Sequence, residues 1–146
     1  QLFHIFQSRR IQRNSFDYFF FYCGIIVLGD GNEEIIGDNI LEEANEKAIW
    51  LNNRFHEIFD SHPNVGEIRQ MGLINAIELV EDKESKKGFD SSERIGYKIY
   101  REALKQGLML RPLGNVMYFN PPLVITKEEL DESLRICKEA IDSVLL

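Results

Sequence analysis

Arg111 is the side chain in this sequence that is best suited to bind an anion. It lies in the apolar stretch LMLRPLGNVMYFNPPLVIT, residues 108 to 126. Two short strands are predicted there, Leu108–Leu113 and Val116–Asn120, with a turn between them at Gly114-Asn115. A guanidinium group offers several donors in a fixed fork that matches a carboxylate or a phosphate. The hairpin is therefore a candidate anion site, but its pattern alone favours the alternative, an edge-strand arginine in a weak surface ion pair.

The first predicted helix begins after Asn39, which can form a capping box with Glu42. It ends before Pro63, because the residue that precedes a proline leaves the helical region. Its apolar stripe recurs at spacings of three and four and consists of Leu41, Ala44, Ala48, Leu51, Phe55 and Ile58. Two extended segments follow, Val65–Arg69 and Gly72–Val80, and the second is apolar enough to be a covered central strand.

Two further helices flank the hairpin in the sequence. One starts at Ser91 or Ser92 and stops at Gly107, which tolerates the left-handed conformation. The other starts at Thr126, which can form a capping box with Glu129. Their apolar stripes are Ile95, Ile99, Ala103 and Leu104 in one and Leu130, Leu134, Cys137 and Ile141 in the other. The resulting order, α-β-β-α-β-β-α, predicts an α+β domain in which a small antiparallel or mixed sheet has its helices packed on one face.

Residues 1–38 form an atypical N-terminal segment, and residues 39–146 form the predicted domain. Basic residues precede the aromatic run FDYFFFYCGIIVL at residues 16–28, an order typical of secretory signals. However, Asp17 interrupts the run, no small-residue cleavage site follows it, and the run is too short to span a membrane. A turn is predicted at Asp30-Gly31-Asn32, where glycine and asparagine tolerate positive φ.

Charge and cysteine content argue against several kinds of partner. The formal net charge is −7, so the surface repels the phosphate backbone of nucleic acids and the headgroups of anionic membranes. Cys23 and Cys137 lie far apart and are predicted to be free thiols rather than a disulfide. No histidine stands at metal-ligand spacing from them, and His62 is interpreted as a loop residue. We therefore predict no metal site and no complete catalytic site in this chain.

Two stretches of the sequence resemble the class III aminotransferases, which are pyridoxal-phosphate enzymes of fold type I. Residues 65–80, VGEIRQMGLINAIELV, resemble the strand pair that opens the small C-terminal domain of these enzymes. Residues 110–123, LRPLGNVMYFNPPL, resemble more specifically the branch of the family that serves biotin biosynthesis. The resemblance extends from about Asn39 to Leu146 and implies the fold of that small domain.

The resemblance also implies a role for each candidate residue. Arg111 matches the arginine that binds the substrate carboxylate, and Tyr118 and Asn120 are candidates to support it from the next strand. The cofactor of the parent family is pyridoxal phosphate, which is bound through a lysine of the large domain. The lysines of this chain lie in no matching motif, so no catalytic or cofactor-binding residue is predicted. We expect that this chain alone does not bind the cofactor.

Three functions are open at this point. In the first, the chain is an inactive fragment of a transaminase that transfers an amino group from S-adenosylmethionine to 7-keto-8-aminopelargonate, and the large domain or a homodimer partner is missing. In the second, it is a stand-alone module that binds a carboxylate or a partner through Arg111. In the third, it is a truncated remnant without function.

The parent family also implies a small amino or keto acid as substrate and a cytoplasmic location. Residues 1–38 match no family element and are interpreted as unrelated or out-of-frame sequence.

Overall fold

The secondary structure follows the predicted order of helices and strands, with one additional short strand. The structure, a computed structural model, describes residues 39–146. Its helices are α1 (Ile40–Phe59), α2 (Ile95–Lys105) and α3 (Lys127–Leu145), and its strands are β1 (Val65–Met71), β2 (Ile74–Asp82), β3 (Lys87–Gly88), β4 (Arg111–Leu113) and β5 (Val116–Phe119). The turn predicted at Asp30–Asn32 and the interpretation of residues 1–38 lie outside the described residues.

The strands of residues 39–146 form an antiparallel sheet in the order β1-β2-β5-β4. The short strand β3 pairs with the C-terminal end of β2. Strand β2 occupies the central position that its continuous apolar sequence predicts, and Ile77 and Leu79 within it are fully buried. The predicted α+β fold is confirmed, and β4, the strand that carries Arg111, lies at an edge of the sheet.

The helices pack on one face of the sheet. The strand register places Ile77 of β2 beside Met117 of β5 on this face, and both side chains are fully buried. Phe55 of α1 packs edge-to-face against Phe119 of β5, with the ring centroids 5.2 Å apart. Helix α3 packs against both α1 and α2. Removal of this apolar surface from water is the main stabilising contribution to the fold. None of these helices combines the length and the apolar run needed to cross a membrane.

Helix α3 forms as its sequence predicts. The Thr126 hydroxyl accepts a hydrogen bond from the Glu129 N–H, and the Glu129 carboxylate accepts one from the Thr126 N–H. This is the predicted capping box, which satisfies two donors that the start of a helix leaves without partners. The predicted apolar stripe is buried throughout and consists of Leu130, Leu134, Cys137 and Ile141. Burial raises the pKa of the Cys137 thiol, which is free as predicted.

The start of α1 differs from the prediction. Asn39 has φ 52° and ψ 15°, and its side chain makes no capping hydrogen bond. A capping side chain reaches the first N–H groups of a helix from an extended backbone, so the left-handed conformation of Asn39 prevents the predicted box with Glu42. The prediction that Leu41 belongs to the core is also wrong, because this side chain in the first turn is 66% exposed.

The start of α2 is also later than predicted. Residues Ser91–Glu93 form a short 3-10 turn instead, which the Asp90 carboxylate caps by accepting a hydrogen bond from the Ser92 N–H. Helix α2 then begins at Ile95, after Arg94 in the left-handed conformation. Its predicted end is confirmed, since Gly107 has φ 89°.

Candidate anion-binding site

Arg111 is the first residue of β4, and its side chain is exposed. The strand is shorter than the predicted Leu108–Leu113. Leu108 and Leu110 are buried, but they precede the strand. Pro112 follows Arg111 directly, and a residue before proline is restricted to extended conformations. Arg111 therefore stands on an edge strand with little backbone freedom.

A row of residues crosses the sheet at the level of Arg111. The register pairs Arg69 with Ala76, Ala76 with Tyr118, and Tyr118 with Arg111. Residues that pair directly across antiparallel strands share a face, and successive residues of a strand alternate between faces. Since Met117 faces the helices, Tyr118 and its row lie on the opposite side. We call the face defined by Arg69, Ala76, Tyr118 and Arg111 the open face.

The open face combines compensated charges with exposed apolar side chains. Arg69 lies 3.4 Å from a carboxylate oxygen of Glu67 and 3.1 Å from one of Glu78. Its charge is thus balanced within the sheet, which makes Arg69 a weak candidate to bind a ligand. Met71 and Leu113, at two-residue spacing from the row, are 80% and 66% exposed.

The structure places Tyr118 beside Arg111, and Asn120 comes directly after the strand that carries Tyr118. Tyr118 is half-buried and lies directly opposite Arg111 in the ladder between β4 and β5. Asn120 follows the last residue of β5 and lies outside that ladder. The supporting roles of both residues stay predictions.

The turn between β4 and β5 makes a hydrogen bond that sequence reasoning missed. Gly114 has φ 60°, as the predicted Gly-Asn turn requires. The Asn115 side chain donates to the Phe89 carbonyl at 2.8 Å, and the Asn115 carbonyl accepts from the Leu79 N–H at 2.8 Å. Turn asparagines commonly bond to nearby backbone, so nothing in the sequence indicated this distant partner. The hairpin is thus attached both to β2 and to the segment that precedes α2.

His62 is buried and connects the turn after α1 to helix α3. Its Nε2 atom lies 3.2 Å from Asp142 Oδ1, and its Nδ1 atom accepts a hydrogen bond from the Asn64 N–H at 3.1 Å. Because Nδ1 acts as an acceptor, this pattern requires the neutral ring with its proton on Nε2. Burial lowers the pKa of His62, an effect that Asp142 opposes. The predicted loop histidine is therefore a structural contact between two elements.

We expect the free energy of unfolding to fall as the pH drops below about 6.5, the ordinary pKa of histidine. The pKa of folded His62 is lowered, so the unfolded chain binds this proton more readily. The stabilising effect of the neutral ring is therefore present above that pH and lost below it. Urea unfolding at about pH 7.5 and about pH 5.5 measures the effect in the wild type and in His62→Gln. His56→Gln changes an exposed histidine and is the control. An unchanged pH dependence in His62→Gln would contradict this assignment.

Within residues 39–146 the structure offers no metal site, and five lysines have partners inside the fold. Within residues 39–146, no group of three or more His, Cys, Asp and Glu side chains could hold a metal ion. Lys47 and Lys83 donate hydrogen bonds to main-chain carbonyl groups. Carboxylates bind the ammonium groups of Lys87, Lys105 and Lys138. These five amines already have partners within the fold.

Comparison with known proteins identifies the family. The family model for aminotransferase class-III matches residues 27–141 of this chain. Adenosylmethionine-8-amino-7-oxononanoate aminotransferase of Geobacter sulfurreducens is 52% identical over 94 residues, which are 64% of this chain and 20% of that protein. Putrescine–pyruvate aminotransferase of Pseudomonas aeruginosa is 33% identical over 106 residues, which are 72% of this chain and 23% of that protein. The chain thus spans only about a fifth of the length of these curated relatives.

A solved aminotransferase structure has the same fold over most of this chain. Adenosylmethionine-8-amino-7-oxononanoate aminotransferase from Methanocaldococcus jannaschii superposes with a TM-score of 0.74 and 30% sequence identity. The match covers 79% of this chain and 26% of that one. The family model covers the residues that carry the hairpin. The chain therefore belongs to the class-III aminotransferase family.

Proposed function

We propose that residues 39–146 are the part of a class III aminotransferase that binds the substrate carboxylate, and that Arg111 makes this contact. The observation that carries the proposal is the position of Arg111 on the open face, at the start of a short and restricted strand. Arg111 is also the residue that the sequence resemblance matches to the carboxylate-binding arginine of the family. Tyr118 and Asn120 are proposed to support it.

The chemistry of this contact follows from the guanidinium group. It stays protonated at any physiological pH and can donate two parallel hydrogen bonds to one carboxylate. The restricted backbone of Arg111 reduces the entropy lost when the guanidinium is ordered on a ligand. An exposed ion pair contributes little in water, so the full strength of this contact requires a partner surface that excludes water.

The proposed substrate is a small amino or keto acid. The relatives from Geobacter sulfurreducens and Methanocaldococcus jannaschii are named for adenosylmethionine and 8-amino-7-oxononanoate, whereas the relative from Pseudomonas aeruginosa is named for putrescine and pyruvate. Amino transfer is the reaction that these names share. The resemblance of residues 110–123 to the biotin branch favours 7-keto-8-aminopelargonate as amino acceptor and S-adenosylmethionine as donor.

The residues that define the open face do not fit the cofactor of the family. Pyridoxal phosphate, when bound, supplies the electron-withdrawing ring on which an amino group is exchanged. It requires a lysine in the site, but no residue that defines the open face is a lysine, and five lysines of residues 39–146 are engaged elsewhere. We propose that the large domain or a second subunit holds the cofactor, that this chain is inactive alone, and that its parent enzyme is cytoplasmic.

Nuclear magnetic resonance of the full chain tests the proposed carboxylate site. Heptanoate should shift the Nε–Hε signal of Arg111 and the amide signals of Tyr118 and Leu113 in a saturable way. We expect weak binding, in roughly the millimolar range, because the site is exposed. Heptanamide has nearly the same shape without the charge and should leave these signals in place. Equal shifts with both ligands, or no shift at Arg111, would contradict the proposal.

A further inference from the structure

The strand that carries Arg111 is one of the shortest in the described sheet. Strand β4 contains only Arg111–Leu113, lies at the edge of the sheet and pairs on one side with β5. Its middle residue is Pro112, which has no N–H to donate to the ladder. A strand this short depends on contacts outside the sheet to fix its position relative to the other strands.

One such contact is made by Gly96 in the first turn of α2. Gly96 is buried, and a Cβ atom built on it would lie 3.0 Å from Pro112 Cβ and 3.4 Å from Met117 Sδ. The same Cβ would come still closer to the Gly114 carbonyl oxygen, nearer than real Cβ atoms approach other atoms. A glycine in a helix is destabilising relative to alanine. Its place here is explained by the close approach of α2 to the hairpin.

A second contact fixes the same hairpin to the segment that leads into α2. The Asn115 side chain donates a hydrogen bond to the Phe89 carbonyl at 2.8 Å. Phe89 immediately precedes Asp90, whose carboxylate caps the 3-10 turn before α2. The turn of the hairpin is therefore held from two directions, by the contact at Gly96 and by the bond from Asn115. We call these two residues the hairpin seat.

We propose that the hairpin seat, Gly96 with Asn115, positions Arg111 for carboxylate binding. The inference rests on the proposed function of Arg111. Neither residue touches the carboxylate; each acts through the hairpin. A methyl group at position 96 would push Gly114 and Pro112 away from α2 and would carry the backbone of Arg111 with them. Small displacements of this kind weaken a directional contact such as a bidentate hydrogen bond.

The test compares two glycine substitutions in the full chain. Gly96→Ala adds a methyl group against the hairpin, whereas Gly66→Ala is the matched control, because its Cβ would lie 2.6 Å from Val80 Cγ1 in the β1–β2 pair. Urea unfolding measures stability, and the heptanoate titration followed at Arg111 measures affinity. Both variants should lose stability. Gly96→Ala should weaken heptanoate binding roughly tenfold, while Gly66→Ala should stay within about twofold of the wild type.

The possible outcomes separate this inference from the function on which it rests. Wild-type affinity in Gly96→Ala, or an equal loss of affinity in Gly66→Ala, would overturn the role of the hairpin seat. If Gly96→Ala does not fold, Asn115→Ala takes its place, because it releases the hairpin from Phe89 without adding an atom, and unchanged affinity there overturns the proposal. If heptanoate binds equally well to the wild type and to Arg111→Ala, the proposed function itself is wrong, and the inference falls with it.

Discussion

Replacing Phe55 by alanine should lower the free energy of unfolding by about 3–5 kcal/mol. Phe55 is fully buried and packs both against the last turn of α1 and against the sheet. Its ring lies 5.6 Å from that of Phe59 and 5.2 Å from that of Phe119, the latter in an edge-to-face arrangement. Truncation therefore removes apolar burial, two aromatic contacts and the packing of the surrounding atoms.

Urea unfolding at neutral pH measures this loss. Ile49→Ala is the matched control, because Ile49 lies on the same helix but is 68% exposed, and it should change stability by less than about 0.5 kcal/mol. Phe55→Leu keeps most of the side-chain volume and should fall between the two. Comparable losses in Phe55→Ala and Ile49→Ala would show that α1 does not pack on the sheet as described.

Helix α3 shows which parts of this fold can be predicted from the sequence. Its capping box depends on Thr126 and Glu129 alone, and its apolar stripe follows a spacing that a helix must repeat, so both were predicted correctly. The predicted capping box at the start of α1 was wrong, because capping depends on the backbone conformation of Asn39, which residue type does not determine. The predicted start of α2 was wrong because Arg94 adopts the left-handed conformation and separates a 3-10 turn from the helix.

The candidate site also has one part that the sequence indicates and one part that it does not. The residue type of Arg111 and the proline that follows it favoured a surface ion pair on their own, and the anion site became the preferred prediction only through the family resemblance of residues 110–123. The hairpin seat could not be predicted, because Gly96 and Asn115 act through residues distant in sequence, Gly114 and Phe89. A glycine inside a helical pattern indicates only a local cost in stability. The need for a glycine at position 96 follows only from the close packing of the helix against the hairpin.

Replacing Arg111 by alanine should weaken heptanoate binding about tenfold or more. A hydrogen bond to a charged group contributes about 1.5–3 kcal/mol, and we expect the lower end of that range because Arg111 is exposed. That value corresponds to roughly a tenfold change in Kd. Arg111→Lys keeps the charge but loses the planar fork, so its affinity should lie between those of the wild type and Arg111→Ala.

The most direct test is a heptanoate titration of the wild type, Arg111→Ala and Arg69→Ala, followed by the amide signals of Tyr118 and Leu113. Arg69 lies in the same row of the open face but is already engaged by Glu67 and Glu78, which makes it the matched arginine control. We predict saturable binding to the wild type and to Arg69→Ala, and at least about tenfold weaker binding to Arg111→Ala. Equal affinity in the wild type and Arg111→Ala, or an equal loss in both variants, would contradict the assignment of Arg111 as the carboxylate-binding residue.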